Sequence, residues 1–319
     1  MMMAGSLCAC GASNVEAADD GRLSIVTTIF PEYDWVMNIL GDNPADADVT
    51  MLLDDGVDLH SFQPTADDIM KIATCDVFIY VGGESDEWVE DALSEATNKD
   101  MVVVNLLEAL GDSVKEEELV EGMEGEEEEE EGEGGEEEEE AEYDEHVWLS
   151  LKNAATLTEV ISEAVCEADS SNADVYESNT AKYTAELRAL DSEYESAVSE
   201  GNGKTLLFGD RFPFRYLVDD YGLSYYAAFV GCSAETEASF ETITFLADKV
   251  DELSLPVVMT IEGKDHSIAE TIVENTDSKD QKILTMDSMQ STTSDDVENG
   301  TTYISVMKNN LEVLKEALK

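Results

Sequence analysis

The residues with the clearest chemical promise in this chain lie in one loop, DGVDLHSFQPT, at positions 55–65. His60 stands there between Gly56 and Pro64, so its imidazole is offered from a turn-rich stretch and not from the apolar stripe of a helix. An imidazole presented this way can ligate a metal, and we read the stretch as half of a metal site. The elements that must position it flank it on both sides. Residues 49–53, VTMLL, predict a strand that delivers His60 from its carboxyl end, where open α/β sheets bind ligands. Thr65 can cap a following helix with Asp67 and Asp68 in its first turn and Ile69, Ile72 and Ala73 as its buried face. The apolar run 77–81, VFIYV, then suits a strand covered on both faces in a parallel sheet, and Gly82-Gly83 end it.

The same alternation extends through the chain. Residues 23–30 predict a first strand, Pro31 opens a helix containing Trp35, Val36 and Ile39, and residues 102–106 predict a fourth strand. Four strand–helix alternations in about 90 residues argue for an α/β lobe. From Ala173 to Ser199, Tyr176, Tyr183, Leu187, Leu190, Tyr194 and Val198 recur close to a 3.5-residue period without Gly or Pro, predicting one helix roughly 40 Å long at 1.5 Å per residue. Beyond Gly201-Asn202-Gly203, short strands are expected at 205–208, 225–229, 257–261 and from 283, which makes a second lobe.

A net charge of −58 on 319 residues argues against nucleic acid or an anionic membrane surface as partner and favours cations. Part of that charge is a tract over 115–142, with EGEEEEEEGEGGEEEEE at its heart, which is expected to be a disordered loop because its like charges repel and it has few apolar side chains to bury. Such a brush would hold divalent cations weakly. Five cysteines include no Cys-x-x-Cys pair or zinc-finger spacing. Cys75, Cys166 and Cys232 sit among apolar or small residues and are expected to be buried structural thiols. Leu7-Cys8-Ala9-Cys10 matches a bacterial lipobox with Cys10 as the lipidated residue. The seven residues before Cys8 are too short for an apolar signal core, so the natural start is expected upstream of Met1.

Residues 56–65, GVDLHSFQPT, followed by a helix, a strand and GESDEW at 83–88, resemble the solute-binding lipoproteins of zinc and manganese ABC importers. In that family the loop histidine is a metal ligand, which implies that role for His60. The second family motif, Asp-x-His-x-Trp-Leu, is matched by Asp144-Glu145-His146-Val147-Trp148-Leu149 directly after the acidic tract, and implies His146 as the second ligand. In the second lobe Gly209 stands where zinc-type members carry a histidine, so Asp210 is the donor available there, with a salt bridge to Arg211 or Arg215 as its structural alternative and Glu237 or Glu262 next in line. Residues 283–288, ILTMDS, resemble the late strand whose end supplies a carboxylate, implying Asp287. No family ligand maps to His266, which is expected to be an exposed loop histidine.

The resemblance implies two similar α/β lobes with mainly parallel central sheets, joined by one long rigid helix, with the metal in the cleft between them. The expected divisions are a truncated lipoprotein signal and tether at 1–21, an N-terminal lobe at 22–170, a linking helix at 171–200 and a C-terminal lobe at 201–319. Two imidazoles and two carboxylates suit Zn2+, with Mn2+ as the alternative, and lack the soft sulfur of a copper(I) site. The implied function is capture of a divalent ion outside the membrane and delivery to an ABC transporter permease by a lipid-anchored monomer. The rival readings are a manganese-specific member and a surface calcium or adhesion protein. A metallohydrolase is disfavoured because the chain has no His-Glu-x-x-His, Gly-x-Ser-x-Gly or phosphate-binding glycine loop.

Overall fold

The computed structural model describes residues 22–42, 47–124, 142–233, 237–263 and 265–319. Cys10 and its tether, residues 125–141 at the heart of the acidic tract, and residues 234–236 lie outside the described residues.

Among the described residues, eight strands form two sheets. The first holds β1 (Leu23–Thr27), β2 (Ala47–Met51), β3 (Val77–Tyr80) and β4 (Val102–Asn105) in the order β2-β1-β3-β4, and the second holds β5 (Thr205–Phe212), β6 (Ser224–Val230), β7 (Val257–Thr260) and β8 (Lys282–Thr285) in the order β6-β5-β7-β8. All pairings are parallel. The two orders are one topology used twice, and in each the chain turns back beside its first strand, which opens a crevice at the carboxyl edge. Burial follows position: Val77, Phe78 and Ile79 on inner β3 are inaccessible, whereas Met51 alone of edge strand β2 is buried.

In chain order the helices are α1 (Phe30–Leu40), α2 (Ala66–Thr74), α3 (Trp88–Ser94), α4 (Leu106–Leu110), α5 (Leu151–Ala168), α6 (Ala173–Glu200), α7 (Arg215–Tyr221), α8 (Phe240–Leu253), α9 (Ser267–Asn275), α10 (Ser294–Glu298) and α11 (Tyr303–Ala317). Thr65 caps α2 reciprocally with Asp68, as its position before Asp67-Asp68 predicts. The 28-residue α6 buries one face, including Tyr183, Leu187 and Tyr194. It packs on α1 and α5 of the first lobe and on α11 of the second. Tyr183 donates its hydroxyl to Asp34 on α1 at 2.9 Å, and Tyr194 donates to the Met307 carbonyl on α11 at 2.6 Å.

Residues 115–124, expected to be disordered, instead form a strap across the second lobe. Glu116 bridges Tyr143 antiparallel, and the Glu124 amide donates to the Ala228 carbonyl at 2.9 Å. The reason is that its flanks are not purely acidic: Met123 is buried, Val114 and Val120 pack on the core, and the Arg215 and Lys115 side chains meet Glu118 and Asp219 at 3.3 and 2.6 Å. Apolar anchors and counter-charges offset the ordering entropy of residues 115–124.

Candidate metal centre

His60 sits in a single 3-10 turn, Leu59–Ser61, between β2 and α2. Leu59 is buried and anchors the turn, and Asp58 Oδ1 accepts from the His60 amide at 3.1 Å. His146 precedes a similar turn, Val147–Leu149, whose three apolar side chains are wholly buried. Asp144 Oδ1 accepts from both the His146 amide at 2.9 Å and its ring Nδ1 at 3.1 Å. Trp148 Nε1 donates to the Ser288 carbonyl at 2.8 Å, which fixes this loop to the second lobe.

The two imidazoles meet with Nε2 atoms 3.2 Å apart. A carboxylate only accepts, so Asp144 assigns the proton of His146 to Nδ1 and leaves a lone pair on Nε2. Nδ1 of His60 faces Ser85 Oγ at 2.8 Å and Glu145 Oε2 at 3.4 Å. Glu145 is buried, with its Oε1 held by the Ser85 amide at 2.9 Å, and its charge favours the same tautomer in His60. Two lone pairs then point at one another, an arrangement relieved by a cation or a shared proton between them. The separation suits a cation: two zinc–nitrogen bonds of about 2.0–2.1 Å at the tetrahedral angle place their nitrogens about 3.3–3.4 Å apart.

The local field has the matching sign. Burial opposes a charged His146, yet Asp144, Glu145 and Asp58 together hold its pKa above the ordinary histidine value. Burial likewise works against an ionised Glu145, but contact with His60 and Ser85 outweighs it and keeps the carboxyl below its usual range. Asp58 is held low in the same way, against burial, by Arg211 and His60; Arg211 Nη2 lies 2.7 Å from its Oδ2 and joins the two lobes.

Among the described residues, one group of three metal-ligating side chains converges, and it is His60, His146 and Cys232, whose donor atoms all lie within 4.8 Å of one another. Cys232 follows β6 and is half-buried, not the closed-in structural thiol expected; it lines a cavity of about 210 Å³ together with His60, Ser85, Glu117 and Glu145. Its amide donates to Glu117 Oε1 at 3.3 Å. Burial first, then the Glu117, Asp144 and Glu145 carboxylates, push the thiol pKa up, so a bound dication would have to reverse that field to make the thiolate. The sequence signal for Cys232 was faint: a lone cysteine at the carboxyl end of a parallel strand, preceded by Gly231.

Asp210 and Asp287 do not join this group. Asp210 lies inside β5, which continues four residues beyond the Phe208 expected as its end, and its two oxygens accept from the Arg211 amide at 2.9 Å and the Ile261 amide at 3.2 Å. Asp287 does follow β8, but its Oδ1 accepts from the Met289 amide at 2.8 Å, and its own amide and carbonyl are clamped by the Asn310 side chain. Burial and the neighbouring Glu262 raise its pKa to about 6. Glu262 is itself engaged by Ser288 and the Gln290 amide, and half-buried His266 sits at the start of α9 outside the group.

The duplicated parallel sheets, the helix packed on both lobes and the convergent side chains at the sheets' carboxyl edges define a two-lobed solute-binding protein. More particularly, the chain belongs to the zinc-uptake complex component A (ZnuA) periplasmic family, which it matches over residues 25–317. It is 32% identical over 320 residues to the zinc-binding lipoprotein AdcA of Streptococcus pneumoniae serotype 4, covering 99% of this chain and 60% of AdcA. It is 30% identical to the high-affinity zinc uptake system protein ZnuA of Bacillus subtilis over 97% of this chain and 93% of that one. The chain thus spans 60% of the length of the AdcA protein. Among solved structures, the Zn(II)-bound ZnuA-like domain of S. pneumoniae AdcA matches with a TM-score of 0.71 at 28% identity, over 93% of this chain and 99% of that one. The metal-dependent lipoprotein YcdH of B. subtilis matches with a TM-score of 0.74 at 26% identity over the same shares.

Proposed function

We propose that this protein captures zinc in its inter-lobe cleft, through His60 and His146, and hands the ion to an ABC importer permease as a monomer anchored outside the cell membrane by a lipid on Cys10. The observation that carries the reading is the pair of Nε2 atoms 3.2 Å apart, with the His146 ring held from behind by Asp144 and the His60 ring by Ser85, with Glu145 3.4 Å away. Orientation by a carboxylate on the far nitrogen is how metal-ligating histidines are fixed in their ligating tautomer. The relatives named as zinc-binding support zinc as cargo. A calcium-binding surface protein would use oxygen ligands alone, and a pair of imidazoles, one buried and one half-buried, argues against it.

A metal held by two side chains 86 residues apart in the sequence binds the folded state selectively, so zinc at about 100 times its dissociation constant should stabilise the protein by about 2.7 kcal/mol. Thermal melts of the parent, His60→Ala and His146→Ala with and without zinc test this. The parent should melt at a clearly higher temperature with zinc and neither variant should. A variant that keeps the full rise refutes the histidine pair as the capture site.

A further inference from the structure

We propose that Cys232 is the third ligand of this site and that its sulfur makes the cargo a thiophilic divalent ion, zinc or cadmium, in preference to manganese. This rests on the zinc-capture reading above and deepens it.

Three observations support the assignment. The sulfur is placed among the two imidazole nitrogens, all three donors lying within 4.8 Å of one another. A tetrahedral zinc with one sulfur at about 2.3 Å and one nitrogen at about 2.0–2.1 Å sets those atoms about 3.5–3.6 Å apart, so an inward movement of the order of 1 Å completes the contact. The loop that carries the sulfur is also built for close approach: a Cβ at Gly231 would lie 2.9 Å from His146 Cε1 and 3.0 Å from the Phe212 carbonyl, so glycine there lets Cys232 come up against the ring. Finally, Asp210, Asp287 and Glu262 accept backbone amides and do not join the convergent group. Both oxygens of Asp210 accept backbone amides, Asp287 Oδ1 accepts one, and Glu262 accepts from Ser288 and Gln290.

The chemical consequence follows from ligand softness. Thiolate selects zinc and its heavier congener, while carboxylate and carbonyl oxygens suit manganese. On binding, the S–H bond of Cys232 breaks heterolytically, both electrons stay on sulfur and form the metal–sulfur bond, and the proton leaves through the cavity to water. The redox state of sulfur is unchanged.

The test uses the full chain with Cys8, Cys10 and Cys166 replaced by serine, so that Cys232 is the accessible thiol. Cobalt(II) loading of this parent should give a near-ultraviolet thiolate-to-cobalt charge-transfer band. Cys232→Ser and Cys232→Ala should both lose that band, with metal-free melting temperatures showing that they fold. In competition titrations, the preference for zinc over manganese should fall at least tenfold in Cys232→Ser. A parent that binds cobalt through His60 and His146 without the band, or a Cys232→Ser protein with an unchanged zinc-to-manganese preference, overturns the thiolate ligand and leaves zinc capture standing. A parent that binds neither zinc nor cobalt overturns both.

Discussion

Replacing Asp144 should weaken zinc binding without touching the ion, because Asp144 fixes which nitrogen of His146 is free to bind. Asp144 is 2% exposed and His146 is inaccessible, and the single Oδ1 accepts two His146 protons, from the amide at 2.9 Å and from Nδ1 at 3.1 Å. Asp144→Ala leaves both donors buried without an acceptor, at about 1–3 kcal/mol each in the metal-free fold. The ring also loses the partner that holds its Nδ1–H tautomer, and loss of such a partner lowers metal affinity about 10–100-fold, or about 1.4–2.7 kcal/mol. Asp144→Asn separates charge from geometry. Its amide oxygen can still accept, so the loss is the difference between a charged and a neutral hydrogen bond, about 1 kcal/mol, or roughly fivefold in affinity. Titration calorimetry against a competing chelator measures the affinities, and denaturant unfolding of the metal-free proteins measures the fold. The order parent, Asn, Ala is the expected result. An alanine variant that folds and binds zinc within twofold of the parent would refute the argument that Asp144 sets the ligating tautomer.

Three further outcomes are expected. Arg211→Met removes the 2.7 Å bridge to Asp58, whose other oxygen caps the His60 turn; with both side chains about one fifth exposed, the loss should be about 1 kcal/mol by denaturant midpoint, accompanied by faster zinc release in stopped-flow chelation, and an unchanged release rate would show that this bridge does not steady the site. Gly231→Ala should cost about 1–3 kcal/mol and weaken zinc binding, because its methyl would meet His146 and the Phe212 carbonyl, whereas Gly203→Ala, with its nearest neighbour 4.0 Å away, should stay within about 0.5 kcal/mol of the parent; equal effects would sink the close-approach argument. Glu32 is wholly buried, and burial with the nearby Asp86 raises its pKa to about 8, so the fold favours its protonated form. The unfolded chain ionises near the ordinary value of 4.5, hence its contribution is fully present below pH 4.5 and is lost as pH rises to about 8; Glu32→Gln should flatten that decline in pH-dependent unfolding, and an identical pH profile would count against it.

How far the sequence reaches depends on which physical term decides each feature. Inner strands of a parallel sheet are covered on both faces, so they read as unbroken apolar runs, and residues 77–81 announce β3 without help from partners. The face of α6 is legible for the same reason, since a 28-residue helix repeats its pattern often enough to be unambiguous. His60 and His146 stand in motifs whose neighbours help to hold them, Asp58 capping the His60 turn and Asp144 orienting the His146 ring, so pattern and geometry coincide. Asp210 was not readable because the strand end was not: apolar character stops at Phe208, but β5 continues with a register irregularity between Phe208 and Arg211, which turns the expected loop donor into a residue whose side chain satisfies backbone amides. Cys232 was unreadable for the opposite reason. A single cysteine has no spacing to betray it, and what brings it to the imidazoles is the topology, which delivers every strand's carboxyl end to one edge.

That topology also bears on how an ion is taken up. One continuous core runs from Leu23 in the first lobe to Leu318 in the second, and it includes the buried face of α6. Polar ties cross the same boundary: Tyr303 donates to the Trp148 carbonyl at 2.5 Å, Tyr216 donates to the Asp144 carbonyl at 2.8 Å, and Ser150 donates to Asp220 at 2.5 Å. Opening the lobes as rigid bodies would break these buried hydrogen bonds and expose part of that core, each lost bond costing about 1–3 kcal/mol. Rearrangement of short segments at the cavity mouth is cheaper, and the segments available are the His60 turn, the Cys232 loop and the strap at Glu117. The lowest-cost route for the ion therefore runs past the acidic strap into the pocket lined by His60 and Cys232, while the buried hydrogen bonds of Asp144, His146 and Trp148 stay in place.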